Sequence, residues 1–229
     1  MKILYVTAEC WPFMKTGGLG DVSYALPKAL KKEGVDIRVI MPKYSTIPSY
    51  LKDKFKPVAE FSVKVGWRNQ YCGIETMELD GVTFYFIDNE FYFKRHDQAS
   101  IYGHGDDAER FAFFDRAVLD MLRQIDWQPD LIHCNDWQTG MLPVLLKFQY
   151  KKNDWFYWNM KTVYSIHNIA FQGVFDPIIL PELFGFDMEL YDNTCLQFDT
   201  GVSFMKGGIY YSDIVTTVSN TYAGEIQTQ

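Results

Sequence analysis

Cysteine is scarce in this sequence. There are four in 229 residues, Cys10, Cys72, Cys134 and Cys195, and no two form a C-x-x-C pair. That spacing argues against a zinc ribbon and against a dense disulfide framework, and it fits a reducing cytoplasm. Positive charge is short too: 22 Lys and Arg stand against 29 Asp and Glu, a formal charge of −7. No extended basic surface for a phosphate backbone is expected, which makes nucleic acid a poor partner. Long apolar runs are missing, and Glu9 interrupts the opening MKILYV before a signal-peptide core is complete. The expectation is a cytoplasmic chain with no targeting segment and no membrane partner.

Several catalytic signatures are also missing. No G-x-x-x-x-G-K-[ST] occurs, which excludes a P-loop, and no serine sits in a G-x-S-x-G elbow. The G-x-G-x-x-G dinucleotide fingerprint fails, because Gly18 and Gly20 are followed by Ser23, and the second strand ends in VIMPKY without an acid for a ribose hydroxyl. A nicotinamide-dependent oxidoreductase therefore fits badly.

What is present is a chain 48% hydrophobic and 17% aromatic, enough for a sizeable core. FYFIDNEFYF (84–93) is its densest aromatic patch, and core packing is favoured there over ligand stacking. KILYVTAE reads as a strand, and LGDVSYALPKALKKEG as a helix with Val22, Ala25, Leu26, Ala29 and Leu30 on one face and Gly34 at its end. VDIRVIMP is a second strand, which completes a βαβ unit. Three strand-like runs between 58 and 88 suggest an antiparallel excursion. A helix is predicted from Asp107, with Phe111, Phe114, Val118, Met121, Leu122 and Ile125 on one face. DLIHCND reads as a strand, a helix follows over about 138–149, and KTVYSIHN is another strand. A helix near 199–211, the strand DIVTTVS and a last helix capped by Ser219 complete the pattern. The alternation predicts a doubly wound, mostly parallel α/β sheet with an antiparallel insertion. The last helix begins without a cap or strand to close it, which suggests a fragment.

Polar residues collect where such sheets hold ligands, at the carboxyl ends of strands. Gly17, Gly18 and Gly20 follow strand one and open a helix. Bare amides and the helix dipole there suit an anion with Lys15 as countercharge, against the plainer reading of a flexible turn. His133, Asp136 and Trp137 end one strand, and His167 with Asn168 ends another, so one crevice could gather them. A core or capping role stands beside that reading for each histidine, and Asp136 could simply be a helix N-cap. A metal centre is disfavoured, because adjacent residues of one strand point to opposite faces.

Five segments, in order, carry a family resemblance: KILYVTAECWPFMKTGGLGDVSYALPKAL, YGHGDDAERFAFF, HCNDWQTGMLPVLL, YSIHNIAFQGVF and FMKGGIYYSDIVTTVSNTYAGEI. Together they resemble the N-terminal half of bacterial glycogen synthases and plant starch synthases. The resemblance implies a retaining glucosyltransferase of the two-Rossmann-domain (GT-B) type. Residues 1–229 would be its acceptor-side domain, and a donor-binding domain would lie outside this chain. It implies transfer of glucose from ADP-glucose to the non-reducing end of an α-1,4-glucan, with no metal and no cofactor. By that resemblance Lys15, Gly17 and Gly18 face the donor diphosphate, and His167 lies against the transferred glucose. Asp136 contacts sugar hydroxyls near the reacting centre, while Glu9, Asp21, Tyr102 and Trp137 match acceptor-side positions, Trp137 offering a ring face to glucose. Lys15, Asp136 and His167 are the expected catalytic residues. Two positions depart from the pattern: Asn135 stands where H-x-H-D-W has its second histidine, and Asn220 where proline is frequent. A non-catalytic carbohydrate-binding module is the alternative from another class.

Overall fold

The opening apolar run forms β1 (Lys2–Val6), and after the helix Gly18–Lys32 the chain returns as β2 (Asp36–Pro42), parallel to β1. These elements belong to a computed structural model that describes residues 1–95, 100–192 and 195–228. The three runs between 58 and 88 are β3 (Lys56–Val65), β4 (Arg68–Leu79) and β5 (Val82–Asp88). Asp80 and Gly81, at φ 51° and 78°, make the two-residue turn between β4 and β5, the conformation an Asp-Gly pair accepts most readily. β3 and β4 pair antiparallel, yet β5 runs parallel to β2. The excursion therefore lengthens the sheet at one edge, and only β4 runs against the rest.

The remaining strands are β6 (Leu131–Asn135), β7 (Lys161–Ile166), β8 (Val174–Phe175), β9 (Gln197–Phe198), β10 (Gly201–Ser203) and β11 (Ile214–Thr217). The main sheet has the order β11-β7-β6-β1-β2-β5-β4-β3. From β1 the chain winds outward through β2 and β5, then returns to lay down β6, β7 and β11 on the other side. This is the expected doubly wound α/β sheet. Its winding reverses between β1 and β6, so the loops leaving their carboxyl ends diverge and open a crevice. β8, β10 and β9 form a second, three-stranded antiparallel sheet that the sequence reading does not contain.

That small sheet also moves a helix boundary. The helix expected near 199–211 is Phe204–Tyr211, because Gly201 and Val202 pair with β8 and β9 first. A Cβ at Gly201 would come 2.5 Å from Val174 Cγ1, so only glycine lets the strands meet there. Ser203 then caps the helix, its hydroxyl accepting from the Lys206 N–H at 3.0 Å.

The first helix buries a different face from the one expected. Leu19, Gly20, Ser23 and Pro27 are buried, while Ala25 and Ala29 are exposed and Leu26 and Leu30 are half-buried. Alanines carry little apolar area, so a hydroxyl contact between Ser23 and Thr7 (3.0 Å) competes on equal terms for the inward position. The helix Asp107–Gln124 follows its expected face: Phe111, Phe114, Val118, Met121 and Leu122 are fully buried, with Ile125 half-buried just past its end. The 138–149 helix is a chain of short turns from Trp137 to Asn153. In the 84–93 patch only Phe91 is exposed among the aromatics, so the patch is core. No helix among the described residues is long and apolar enough to cross a membrane.

Candidate active site

The loop after β1 is fastened by Glu9, which is 4% exposed. Its Oε2 accepts the backbone N–H groups of Thr16 and, at 3.4 Å, Gly17, and its Oε1 accepts the Thr16 hydroxyl at 3.0 Å. A carboxylate thus already sits on the amides that the sequence reading reserved for an anion. The glycines divide their work. A Cβ at Gly17 or Gly18 would meet nothing within 4 Å, and both border a large cavity, so their backbone lies open to whatever binds. Gly20 is packing: a Cβ there would come 2.9 Å from Lys15 Cγ and 3.3 Å from Lys15 Cα. Both readings of the KTGGLG stretch therefore apply, to different glycines.

Lys15 and Asp21 are not among the lining residues, but each is next in sequence to one that is, Thr16 and Val22, which places the two at the cavity's rim. The Lys15 ammonium donates to both oxygens of Asp21, at 2.7 and 2.6 Å, with the two side chains 43% and 59% exposed. Two residues expected on the donor and acceptor sides are here partners at the rim.

The cavity, about 1200 Å³, opens at the divergence of β1 and β6. Of the expected residues it brings together Glu9, Gly17, Gly18, Tyr102, Asp136, Trp137 and His167. Among the described residues its carboxylates are Glu9, Asp107 and Asp136, and no lysine or arginine lines it. The Asp107 carboxylate pairs with the fully buried Arg110 (2.8 Å) and accepts the Gly103 N–H (2.7 Å), which pins the wall that carries Tyr102. The Tyr102 hydroxyl is sealed from solvent with no partner among the described residues.

Asp136 follows β6 at φ 56°, ψ −177°, a region that side-chain-bearing residues rarely occupy and that costs about 1–3 kcal/mol. It stands at the N-cap position of a short turn but does not cap it. Instead its Oδ1 accepts the backbone N–H groups of His167 (2.8 Å) and Asn168 (3.3 Å) at the end of β7. Desolvation raises its pKa to about 6, the nearby Glu9 charge adding to the rise and the two N–H groups opposing it. His167 is pushed down to about 4 by desolvation, so it is neutral at pH 7.

His133 is not part of the crevice. It turns inward, with Nε2 2.7 Å from the Ser165 hydroxyl and its ring edge-on to Tyr5. Trp137 lines the cavity, but its ring is only 8% exposed and packs among Phe111, Phe175 and Phe204, and a Cβ at Gly173 would come 2.5 Å from it. Little of the ring is open to the cavity. The exposed aromatic surface of the cavity belongs to Phe171 (64%) and Phe198 (45%), which sequence reasoning missed. Asn135 was missed too, except as a departure from the H-x-H-D-W pattern. Among the described residues no group of three or more His, Cys, Asp or Glu could hold a metal ion.

Comparison with known proteins agrees with this fold. A family model for the starch synthase catalytic domain matches residues 2–229. Glycogen synthase of Clostridium beijerinckii is 71% identical over 228 residues, covering 100% of this chain and 47% of that protein. Glycogen synthase of Clostridioides difficile is 63% identical over 229 residues, covering 100% and 48%. The solved catalytic domain of starch synthase IV from Arabidopsis thaliana, bound to ADP and acarbose, superposes with a TM-score of 0.86 at 30% identity and covers 99% of this chain and 46% of that one. The chain spans about half the length of the curated relatives it matches. None of these is a nicotinamide-dependent oxidoreductase or a non-catalytic carbohydrate-binding module. With its doubly wound sheet and the cavity at the β1/β6 divergence, the chain belongs to the starch synthase catalytic-domain family.

Proposed function

We propose that residues 1–229 are the acceptor-side half of a two-domain, GT-B-type retaining glucosyltransferase. It would move glucose from ADP-glucose to the non-reducing end of an α-1,4-glucan, in the cytoplasm, where its buried thiols Cys10, Cys72 and Cys134 suit a reducing setting. The observation that carries this reading is the lining of the cavity. Among the described residues it offers three carboxylates, the neutral His167 and two exposed phenyl rings, and no cation. A pyranose is a match for such a wall, since its hydroxyls donate to carboxylates and its C–H face packs on rings. A diphosphate is a poor match until cations arrive from elsewhere. Lys15 at the rim is one, and the remaining half of the relatives' length would supply others.

In that arrangement the leaving diphosphate gains negative charge as the glycosidic bond breaks. Lys15 and the helix N-terminus at Gly17 and Gly18, where Glu9 holds the Gly17 N–H only at 3.4 Å, stabilise that growing charge. Asp136 and His167 bracket the reacting glucose, and Glu9 acts by holding the loop that presents Thr16 and Gly17. The solved relative was bound to ADP and to acarbose, an arrangement this chain would share once its second half is present.

The experiment is an NMR titration of this chain with maltoheptaose, following the indole N–H groups of the six tryptophans. Trp137, a largely buried residue of the cavity wall, is expected to shift in a saturable way, and Phe171→Ala with Phe198→Ala to weaken the response about tenfold. ADP alone is expected to bind far more weakly than in a two-domain protein. Tight binding of ADP with no response to maltoheptaose would overturn the assignment of this half to the acceptor.

A further inference from the structure

Asn135 is fully buried and makes side-chain contacts to four residues. Its Nδ2 donates to the Val6 carbonyl at 2.9 Å and to the His133 carbonyl at 3.2 Å. Backbone carbonyls only accept, so these two contacts decide which end of the amide is nitrogen. The other end, Oδ1, can only accept. It takes the Tyr5 hydroxyl at 2.9 Å and lies 2.9 Å from His167 Nε2. The proton between Asn135 and His167 must therefore sit on Nε2. Nδ1, the ring nitrogen left over, has no protein partner among the described residues, on a side chain that lines the cavity.

We propose that Asn135 is a positioning residue that fixes His167 as the neutral Nε2–H tautomer, leaving Nδ1 as a lone pair for a sugar hydroxyl in the cavity. This rests on the reading of the cavity as a sugar site and says how His167 meets the sugar there. Position 135 suits a neutral amide for a physical reason. A carboxylate in its place would draw a second proton onto the ring, and an imidazolium would set positive charge beside a glucose that itself becomes cationic in the transition state. A lone pair does the opposite. The ionisable groups around the ring do not contradict this: Asp136 spends its Oδ1 on the His167 backbone N–H, and the half-buried His133 is held neutral by desolvation.

The test is the ring ¹⁵N spectrum of His167 in this chain, assigned by the signals lost in His167→Gln. A pyrrole-type Nε2 and a pyridine-type Nδ1 are expected at pH 7. The opposite tautomer, a mixture, or a protonated ring at that pH would overturn the proposal. Asn135→Asp is expected to keep the proton on Nε2 and raise the His167 titration midpoint by at least about one pH unit. An unmoved midpoint in a folded variant would count against the contact. If that variant does not fold, the wild-type spectrum decides alone. Maltoheptaose should then shift Nδ1 more than Nε2. Sugar binding with the wrong tautomer removes the role of Asn135 and leaves the acceptor reading intact. The right tautomer with no response to sugar overturns both the lone pair's task and the reading beneath it.

Discussion

The Asp136 carboxylate reaches from the end of β6 to the end of β7, where its Oδ1 accepts the His167 backbone N–H at 2.8 Å. One residue thereby ties two strand ends together, and it does so from a backbone conformation at φ 56° that suits glycine. Strain and function meet at this point, which is where strained residues are expected to concentrate.

Replacing Asp136 separates the two effects. Asp136→Ala keeps the strained backbone and leaves two N–H groups without their acceptor, a loss of about 1–3 kcal/mol. Asp136→Gly loses the same acceptor but relaxes the backbone, so urea unfolding should find it more stable than the alanine variant by about 1 kcal/mol. Both should be inactive in a two-domain protein. Equal stability of the two variants would show that the φ carries no cost.

Stability should respond to pH through three groups, His133 and His167 with one sign and Asp136 with the other. His167 has its pKa lowered from 6.5 to about 4 by desolvation and contributes as His133 does. His133 has its pKa lowered from 6.5 to about 4 by desolvation, with the neighbouring His167 adding to the shift. Its contribution is fully present above pH 6.5 and is lost as pH falls through 4, at about 3 kcal/mol in all. Asp136 is raised from 3.8 to about 6, so its contribution is present below pH 3.8 and lost as pH rises through 6, again about 3 kcal/mol. Urea midpoints between pH 7 and 4 should therefore flatten in His133→Gln and steepen in Asp136→Asn. The reverse pattern would contradict both assignments.

Lys15→Ala in a two-domain protein should lower kcat by about 10²-fold while leaving glucan affinity nearly unchanged, since the charge it meets develops in the transition state. Gly20→Ala should give a smaller loss of the same kind, because the added methyl displaces the Lys15 stem. Neither the loss of Lys15 nor Asp21→Asn should change stability by more than about 1 kcal/mol, as the pair is exposed. A defect confined to glucan binding would remove Lys15 from the donor side.

Tyr222, on the helix Asn220–Glu225, holds the loop after β7 through its hydroxyl oxygen, which accepts the Ile169 N–H at 2.9 Å. Tyr222→Phe should cost about 1 kcal/mol and speed hydrogen exchange at Ile169 while the β7 amides stay protected. Unchanged exchange at Ile169 would show that the loop is held by other contacts.

Much of the fold was legible because hydrophobic periodicity is local. KILYV, VDIRVIMP and the run from Asp107 bury the residues their spacing nominates, and Asp80-Gly81 makes the turn its residue types favour. Failures fall where local signals are weak. Ala25 and Ala29 carry too little surface to decide a helix face, and Gly201 and Val202 join a sheet whose partners lie distant in sequence. At the site, the motif residues Glu9, Asp136 and His167 do share a cavity, whereas Lys15 and Asp21 meet each other at its rim.

The sequence by itself determined the chain order of the main-sheet strands and of the longer helices between them, the glycines that open the first helix, and the motifs that carry the family resemblance. All of these depend on neighbours within a few residues or on residue identity. Only the tertiary structure decided that Trp137 lies largely buried in the cavity wall while Phe171 and Phe198 are the open rings, that Glu9 is spent on its own loop, and that Asn135 dictates the proton on His167. Those are outcomes of burial and of hydrogen bonds between strand ends 32 residues apart, such as Asn135 with His167. A buried polar atom must find its partner wherever the fold has placed one, and no local pattern records where that is.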